Sequence, residues 1–188
     1  PPMMQEDAAI AFSPDGRTLA VVSNREGNDK EAWTTNNDIF LVPVEGGAPR
    51  KLTQNPASDT HPMFSKDGRT LFVLAQRRPG FESDRWYLDA YDVEKGTKRT
   101  LFTQPDISIG EYTIAPDGVS IWFTAGEQAR TSLYSGPMAG GQPARVLKAG
   151  SIAGIQAGRD FLTFASSSLT APAEVFRVGT DGNGLRAL

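Results

Sequence analysis

The 188-residue chain has no cysteine and one histidine. The first absence excludes a disulfide framework and thiolate metal sites. The second leaves His61 as the only imidazole base. No segment approaches the roughly 18 consecutive apolar residues of a membrane-spanning helix, so a membrane partner is not expected. No charged segment followed by an apolar stretch opens the chain as a secretory signal would. Pro1-Pro2-Met3-Met4 reads instead as a start inside a longer protein. The compartment stays open, cytoplasmic and periplasmic alike. Dense basic runs are missing too. Nineteen Lys and Arg stand scattered against 22 Asp and Glu, for a net charge of -3. Nucleic-acid recognition needs a basic face, so no nucleic acid is expected as partner. Helical periodicity is absent as well, since no window sustains a 3.6-residue apolar repeat over three turns. Residues 165–173 are rich in alanine, but Pro172 and the serines oppose a helix there.

What the chain does have is turns, with 19 glycines and 13 prolines, and an internal repeat. Ala11-Phe12-Ser13-Pro14-Asp15-Gly16-Arg17-Thr18-Leu19 returns as Met63-Phe64-Ser65-Lys66-Asp67-Gly68-Arg69-Thr70-Leu71, and again as Ile114-Ala115-Pro116-Asp117-Gly118-Val119-Ser120-Ile121. The spacing is about 50 residues, within the range of propeller repeats. Aspartate bonds its own local backbone and proline presets the turn. Gly16, Gly68 and Gly118 then supply the left-handed conformation that closes a hairpin. Asp15, Asp67 and Asp117 are therefore turn-forming residues before they are anything else. The runs Leu19–Val22, Leu71–Leu74 and Ile121–Thr124 suit strands buried on both faces.

A second hairpin follows in each unit. Ile39–Val42 leads through Glu45-Gly46-Gly47 to Arg50–Thr53, Tyr87–Tyr91 through Glu94-Lys95-Gly96 to Arg99–Leu101, and Ser132–Ser135 through Ala139-Gly140-Gly141 to Arg145–Leu147. Each unit is thus four strands joined by two tight turns and one longer connection, which is a propeller blade. A fourth, degenerate unit runs over Ile152–Ile155, Phe161–Phe164, Val175–Val178 and Leu185–Leu188, with Ala157-Gly158-Arg159-Asp160 in place of the Asp-Gly turn. The expected fold is all-β: four four-stranded antiparallel blades, approximately 8–53, 61–103, 109–148 and 151–188, from a larger propeller of seven or eight.

Two stretches are more particular than the turns. They are Ala75-Gln76-Arg77-Arg78-Pro79-Gly80-Phe81-Glu82-Ser83-Asp84-Arg85 and Ser166-Ser167-Ser168-Leu169-Thr170-Ala171-Pro172-Ala173-Glu174-Val175-Phe176. With the Phe-Ser-Pro-Asp-Gly turns, they make the chain resemble the propeller of the prolyl oligopeptidase superfamily of serine peptidases, in its dipeptidyl-peptidase and acylaminoacyl-peptidase branch. The likeness extends over essentially the whole chain and implies the C-terminal half of the propeller. It also implies a parent in which a hydrolase domain follows the propeller and removes dipeptides or blocked residues from short peptides. The parent's own hydrolase domain and its peptide substrate are then the expected partners.

The sequence itself carries no Gly-x-Ser-x-Gly nucleophile elbow. Ser166-Ser167-Ser168 lacks the flanking glycines, and a nucleophile needs a base within hydrogen-bond reach. His61, at the entry to a first strand, reads as structural. No catalytic residue, cofactor or metal site is therefore assigned. Asp181-Gly182-Asn183-Gly184 lacks the third oxygen ligand and distal Glu of a calcium loop. Functional residues concentrate on long connections. The candidates are Arg77, Arg78, Glu82, Asp84 and Arg85, with Trp33 from the corresponding 24–36 connection, which also carries Glu26, Lys30 and Glu31. Both connections are expected opposite the Asp-Gly turns, on a face that meets the hydrolase domain or lines the substrate path. The bland reading is a solvated loop with internal ion pairs. A stand-alone TolB-like interaction propeller is the rival for the whole chain; a propeller enzyme with its own channel site fares worse, since no histidine or carboxylate cluster repeats on the inner strands. Uncovered blade faces also predict that two chains associate, or that the four blades close on themselves.

Overall fold

A computed structural model describes residues 10–27, 30, 33–103, 106–148 and 150–188. Residues 8–9 of the expected first blade and Glu31 lie outside the described residues. The described chain is all-β, in four antiparallel four-stranded sheets, each with its strands in sequential order. No helix is long and apolar enough to cross a membrane.

The first sheet holds β1 (Ile10–Phe12), β2 (Thr18–Ser23), β3 (Asp38–Pro43) and β4 (Arg50–Lys51). The second holds β5 (Asp59–Phe64), β6 (Thr70–Ala75), β7 (Tyr87–Asp92) and β8 (Lys98–Thr100). The third holds β9 (Ile109–Ile114), β10 (Ser120–Glu127), β11 (Arg130–Pro137) and β12 (Ala144–Lys148). The fourth holds β13 (Ser151–Ala157), β14 (Phe161–Ser168), β15 (Ala171–Gly179) and β16 (Arg186–Ala187). The alanine-rich 165–173 stretch is thus strand and turn.

The chain divides into two compact units, residues 1–100 and 101–188. In the first, one blade face packs on the next: Ala20, Val22, Ile39 and Leu41 meet Phe64, Leu71, Val73 and Tyr91. In the second, Trp122 and Leu133 pack with Ile152, Ile155, Leu162, Phe164 and Val178. Phe102, Phe123 and Tyr134 stack at 5.0 and 5.4 Å between ring centres. A Cβ on Gly136 would fall 2.5 Å from the Phe102 ring, so this stack requires the glycine.

The Asp-Gly hairpins follow one plan with one substitution. Ser13 Oγ donates to Asp15 Oδ1 at 2.6 Å, which also accepts from Arg17 N, and Gly16 sits at φ 69°. Ser65, Asp67 and Gly68 repeat this arrangement. In the third blade alanine stands at 115, and Ser120 supplies the missing hydroxyl, donating to Asp117 Oδ2 at 2.9 Å. Among the described residues no group of three metal-ligating side chains gathers at these turns or elsewhere.

Two expectations are corrected. The longer connection between the second and third strands belongs only to the first two blades. In the third, β10 and β11 form one long hairpin closed by Gln128-Ala129, both at positive φ; in the fourth, β14 and β15 pair up to Ser168 and Ala171. These strands run eight or nine residues, so the ladder consumes the chain that the first two blades spend on a loop. Burial on both faces holds for β6 and β10 but not for β2, where residues alternate between buried and half-buried. Ile10 and Phe12 on β1, the strand paired with β2, are exposed.

The first strands of blades 2, 3 and 4 share a device. His61 and Pro62 lie opposite Val73, Gly110 and Glu111 opposite Thr124, and Gly154 and Ile155 opposite Phe164, each a two-against-one bulge. His61 and Gly154 adopt positive φ there, 52° and 64°. His61 is accordingly a bulge residue within a strand.

Candidate functional site

In the first unit, the β2–β3 and β6–β7 connections emerge at the ends of the blades remote from the Asp-Gly turns. They are joined by a hydrogen bond from Gly80 N to Thr35 Oγ1 at 3.2 Å.

The β6–β7 loop is built around Asp84, which is 6% exposed. Its Oδ2 accepts from the backbone N–H groups of Arg77 at 2.8 Å and Arg78 at 2.9 Å, and its Oδ1 from Arg78 Nε at 2.7 Å. Burial alone pushes the Asp84 carboxyl up, but these donors and the Arg85 backbone outweigh it and hold the pKa at about 2. Gln76, 2% exposed, closes the base by donating through Nε2 to the carbonyls of Glu82 and Asp84, both at 3.0 Å.

The other candidates divide by what they touch. Arg77 reaches inward, donating to Asp89 Oδ1 at 2.6 Å and to Thr100 Oγ1 at 3.0 Å. Asp89 is fully buried and also accepts from Lys98 Nζ at 3.2 Å and from Thr100 Oγ1. The guanidinium groups of Arg77 and Arg85 each lie over the Tyr87 ring, at 4.6 and 4.5 Å. Arg78 leans over Phe81 at 4.3 Å and stays 66% exposed. Glu82 is exposed, Phe81 is 43% exposed and Trp33 is 88% exposed. The 24–36 connection has its own bracing: Asn36 Nδ2 donates to Glu26 Oε1 at 2.6 Å, and Arg25 covers Phe40 at 4.4 Å.

Two layers result. Asp84, Gln76, Arg77 and Asp89 hold the loop; Arg78, Phe81, Glu82 and Trp33 present an arginine, an acid and two aromatics to the outside. Arginine and aromatic side chains dominate the binding energy of protein interfaces. Residue types alone did not separate the layers, because the partners of Asp84 include main-chain N–H groups.

Beneath the loop lie residues the sequence did not single out. Asp59, fully buried at the start of β5, accepts from Asn55 Nδ2 at 3.2 Å. Its Oδ2 has no hydrogen-bond partner among the described residues. Asp38 pairs with Lys51 at 2.6 Å and accepts from Thr53 Oγ1 at 3.0 Å. An open cleft of about 360 Å³, lined by Gln54, Asn55, Tyr91 and Lys98 among others, borders this layer.

A four-blade array with tight Asp-Gly hairpins and one braced loop face defines a class of protein, the β-propeller. No model of a known protein family matches the chain. Individual relatives do. The chain is 29% identical over 126 residues to dipeptidyl-peptidase 5 of Porphyromonas gingivalis, covering 66% of this chain and 18% of that one. It is 37% identical over 73 residues to the peptidase YuxL of Bacillus subtilis, covering 39% and 10% respectively. It therefore spans less than a fifth of either relative. Among solved structures, a puromycin-hydrolyzing peptidase of Mycobacterium tuberculosis superposes with a TM-score of 0.76 at 18% identity, over 96% of this chain and 28% of that one. A putative TolB of Agrobacterium tumefaciens superposes at 0.72 and 20% identity, over 95% and 63%. These two likenesses speak to the fold. Both sequence relatives are peptidases by name, in keeping with the resemblance to the prolyl oligopeptidase superfamily.

Proposed function

We propose that this chain is a propeller segment, from the later half of the propeller, of a serine exopeptidase that trims short peptides in the dipeptidyl- or acylaminoacyl-peptidase manner. In this reading the segment gates access and performs no bond cleavage itself. The similarity to dipeptidyl-peptidase 5 over two thirds of the chain carries the proposal. The lack of a Gly-x-Ser-x-Gly elbow in the sequence agrees with it. The outer layer, with Arg78, Glu82, Phe81 and Trp33, is then the side that meets the hydrolase domain or the peptide path.

The test is made in the full-length peptidase. Arg78→Ala and Glu82→Ala should each lower kcat/KM for short peptides by about threefold or more, the scale of one exposed charged contact, and Arg77→Ala should lower it at least as much by removing the loop's brace on Asp89. Unchanged kcat/KM in all three removes the assignment of this face. A second reading, a TolB-like interaction propeller, draws on the structural likeness to TolB across 95% of the chain. A nucleophile elbow encoded downstream of Leu188 favours the peptidase; a gene without one favours the interaction module.

A further inference from the structure

A hydrogen-bond relay runs from a buried carboxyl to the loop face. Asn55 Nδ2 gives one proton to Asp59 Oδ1 at 3.2 Å and the other to the backbone oxygen of Gln76 at 2.6 Å. Gln76 in turn holds the carbonyls of Glu82 and Asp84, and its own N–H donates to Ser58 O at 2.8 Å. A buried side chain of blade 2 is therefore linked through two amides to the loop that carries Arg77, Arg78 and Glu82.

The surroundings of Asp59 suit a neutral acid. The Thr53 proton goes to Asp38 Oδ1. Asp89 on β7 and Lys98 on β8 act electrostatically on Asp59, and Asp59 in turn acts on Tyr91 of β7. Asp38 on β3 acts on Tyr91 as well, and His61 shares the strand of Asp59. The cations Arg77 and Lys98 are already engaged by Asp89. An ionised Asp59 would add a second buried negative charge beside Asp89 with one oxygen unpartnered, a costly arrangement. Burial, the largest influence, pushes its pKa up to about 7.

We propose that Asp59 is a proton-operated latch for the 77–86 loop: as the neutral acid it stays buried while Asn55 holds Gln76, and as the carboxylate, with Oδ2 unpartnered beside Asp89, it favours the opened loop that admits water to it. Its importance for peptide access rests on the reading of this face given above. The experiment needs neither a hydrolase domain nor a substrate, so one idea can fail without the other.

Amide hydrogen exchange over residues 77–86 of the 188-residue chain is compared at pH 5.5 and pH 8.5, after correction for intrinsic exchange chemistry. The wild-type loop should lose roughly tenfold or more of its protection at the higher pH, since each pH unit between the open-state and closed-state ionisation ranges carries up to a factor of ten. Asp59→Asn should abolish the dependence. Unchanged wild-type protection, or the same dependence in Asp59→Asn, overturns the latch. If the variant does not fold, a titration of Asp59 itself in the wild-type chain decides. A carboxyl carbon NMR titration of wild-type Asp59 adds a second reading: a midpoint between pH 6 and 8 is expected, and an ordinary midpoint near pH 4 refutes the proposal.

Discussion

Replacing Asp84 separates a braced loop from a merely charged one. The carboxylate accepts two main-chain N–H groups and one guanidinium N–H. Asparagine has the same shape but one acceptor oxygen. If that oxygen takes the place of Oδ2, the two main-chain bonds survive as weaker neutral bonds while the amide group meets Arg78 Nε, donor against donor. Hydrogen bonds to charged groups contribute about 1.5–3 kcal/mol each, and neutral ones about 1. Arg78 is mostly solvated, so its share is discounted. The loop should lose about 2–3 kcal/mol against local opening. The assay is native-state trypsin digestion near neutral pH. Cleavage after Arg77 and Arg85 requires the loop to open, whereas the Arg78–Pro79 bond resists the protease. The loss corresponds to roughly 30- to 150-fold faster nicking in Asp84→Asn. The pH dependence adds a check of sign. The folded pKa of about 2 lies below the unfolded 3.8, so the stabilisation is complete above pH 4 and is lost as pH falls through 2. The gap between wild type and variant in loop protection, read by hydrogen exchange, should close over that range. Equal nicking rates at neutral pH, or a gap that persists at pH 2, would refute the reasoning.

Asp59 has the opposite sign. Its folded pKa of about 7 exceeds the unfolded 3.8, so the favourable term is present below pH 4 and is lost as pH rises through 7. Asp59→Asn should therefore unfold at higher urea than wild type at pH 8.5 and lose that advantage by pH 5; an advantage independent of pH contradicts the burial argument. Gly154→Ala should cost about 1–2 kcal/mol through its positive φ alone, because a Cβ there meets no atom within 4 Å; an unchanged melting temperature would mean that the bulge relaxes. Ile10 and Phe12, 58% and 64% exposed on the edge strand β1, should drive association of the 188-residue chain. Sedimentation at rising concentration should show dimers that Phe12→Ser weakens, and a wild-type monomer throughout would overturn the expectation.

The sequence announced the blades wherever a turn needs glycine. Asp15-Gly16, Asp67-Gly68 and Asp117-Gly118 stand out because the left-handed position excludes most side chains. Where the same conformation is held by other residues, the signal disappears. Gln128-Ala129 closes a two-residue hairpin without Gly, Asn or Asp, and His61 occupies a bulge position that Gly154 fills in blade 4. The three first-strand bulges have no residue type common to all, since His61 stands where the others have Gly110 and Gly154, so no motif reports them. The candidate loop was visible through its charges, but its division into brace and surface was not. Asp84 looks like an exposed acid until the backbone places two N–H groups around it. Asp59 was missed for a related reason: Ser58-Asp59-Thr60 reads as a polar entry to a strand, and only packing reveals that Asp59 is buried.

Glu111 has a consequence for how such chains are cut and rejoined. Its two carboxylate oxygens accept the N–H groups of Gly154 and Ile155, each at 3.1 Å, which are the two residues of the bulge in β13. The bulge of one blade is thus completed by a side chain of the blade before it. Blades 1 and 2 are stitched similarly, by Asp59 N to Asn37 O at 2.8 Å and by the Arg50 guanidinium to Val93 O. In modular engineering, then, blades 1 and 2 belong together, as do blades 3 and 4. A graft that begins at Ser151 would arrive without the acceptor for its own first strand.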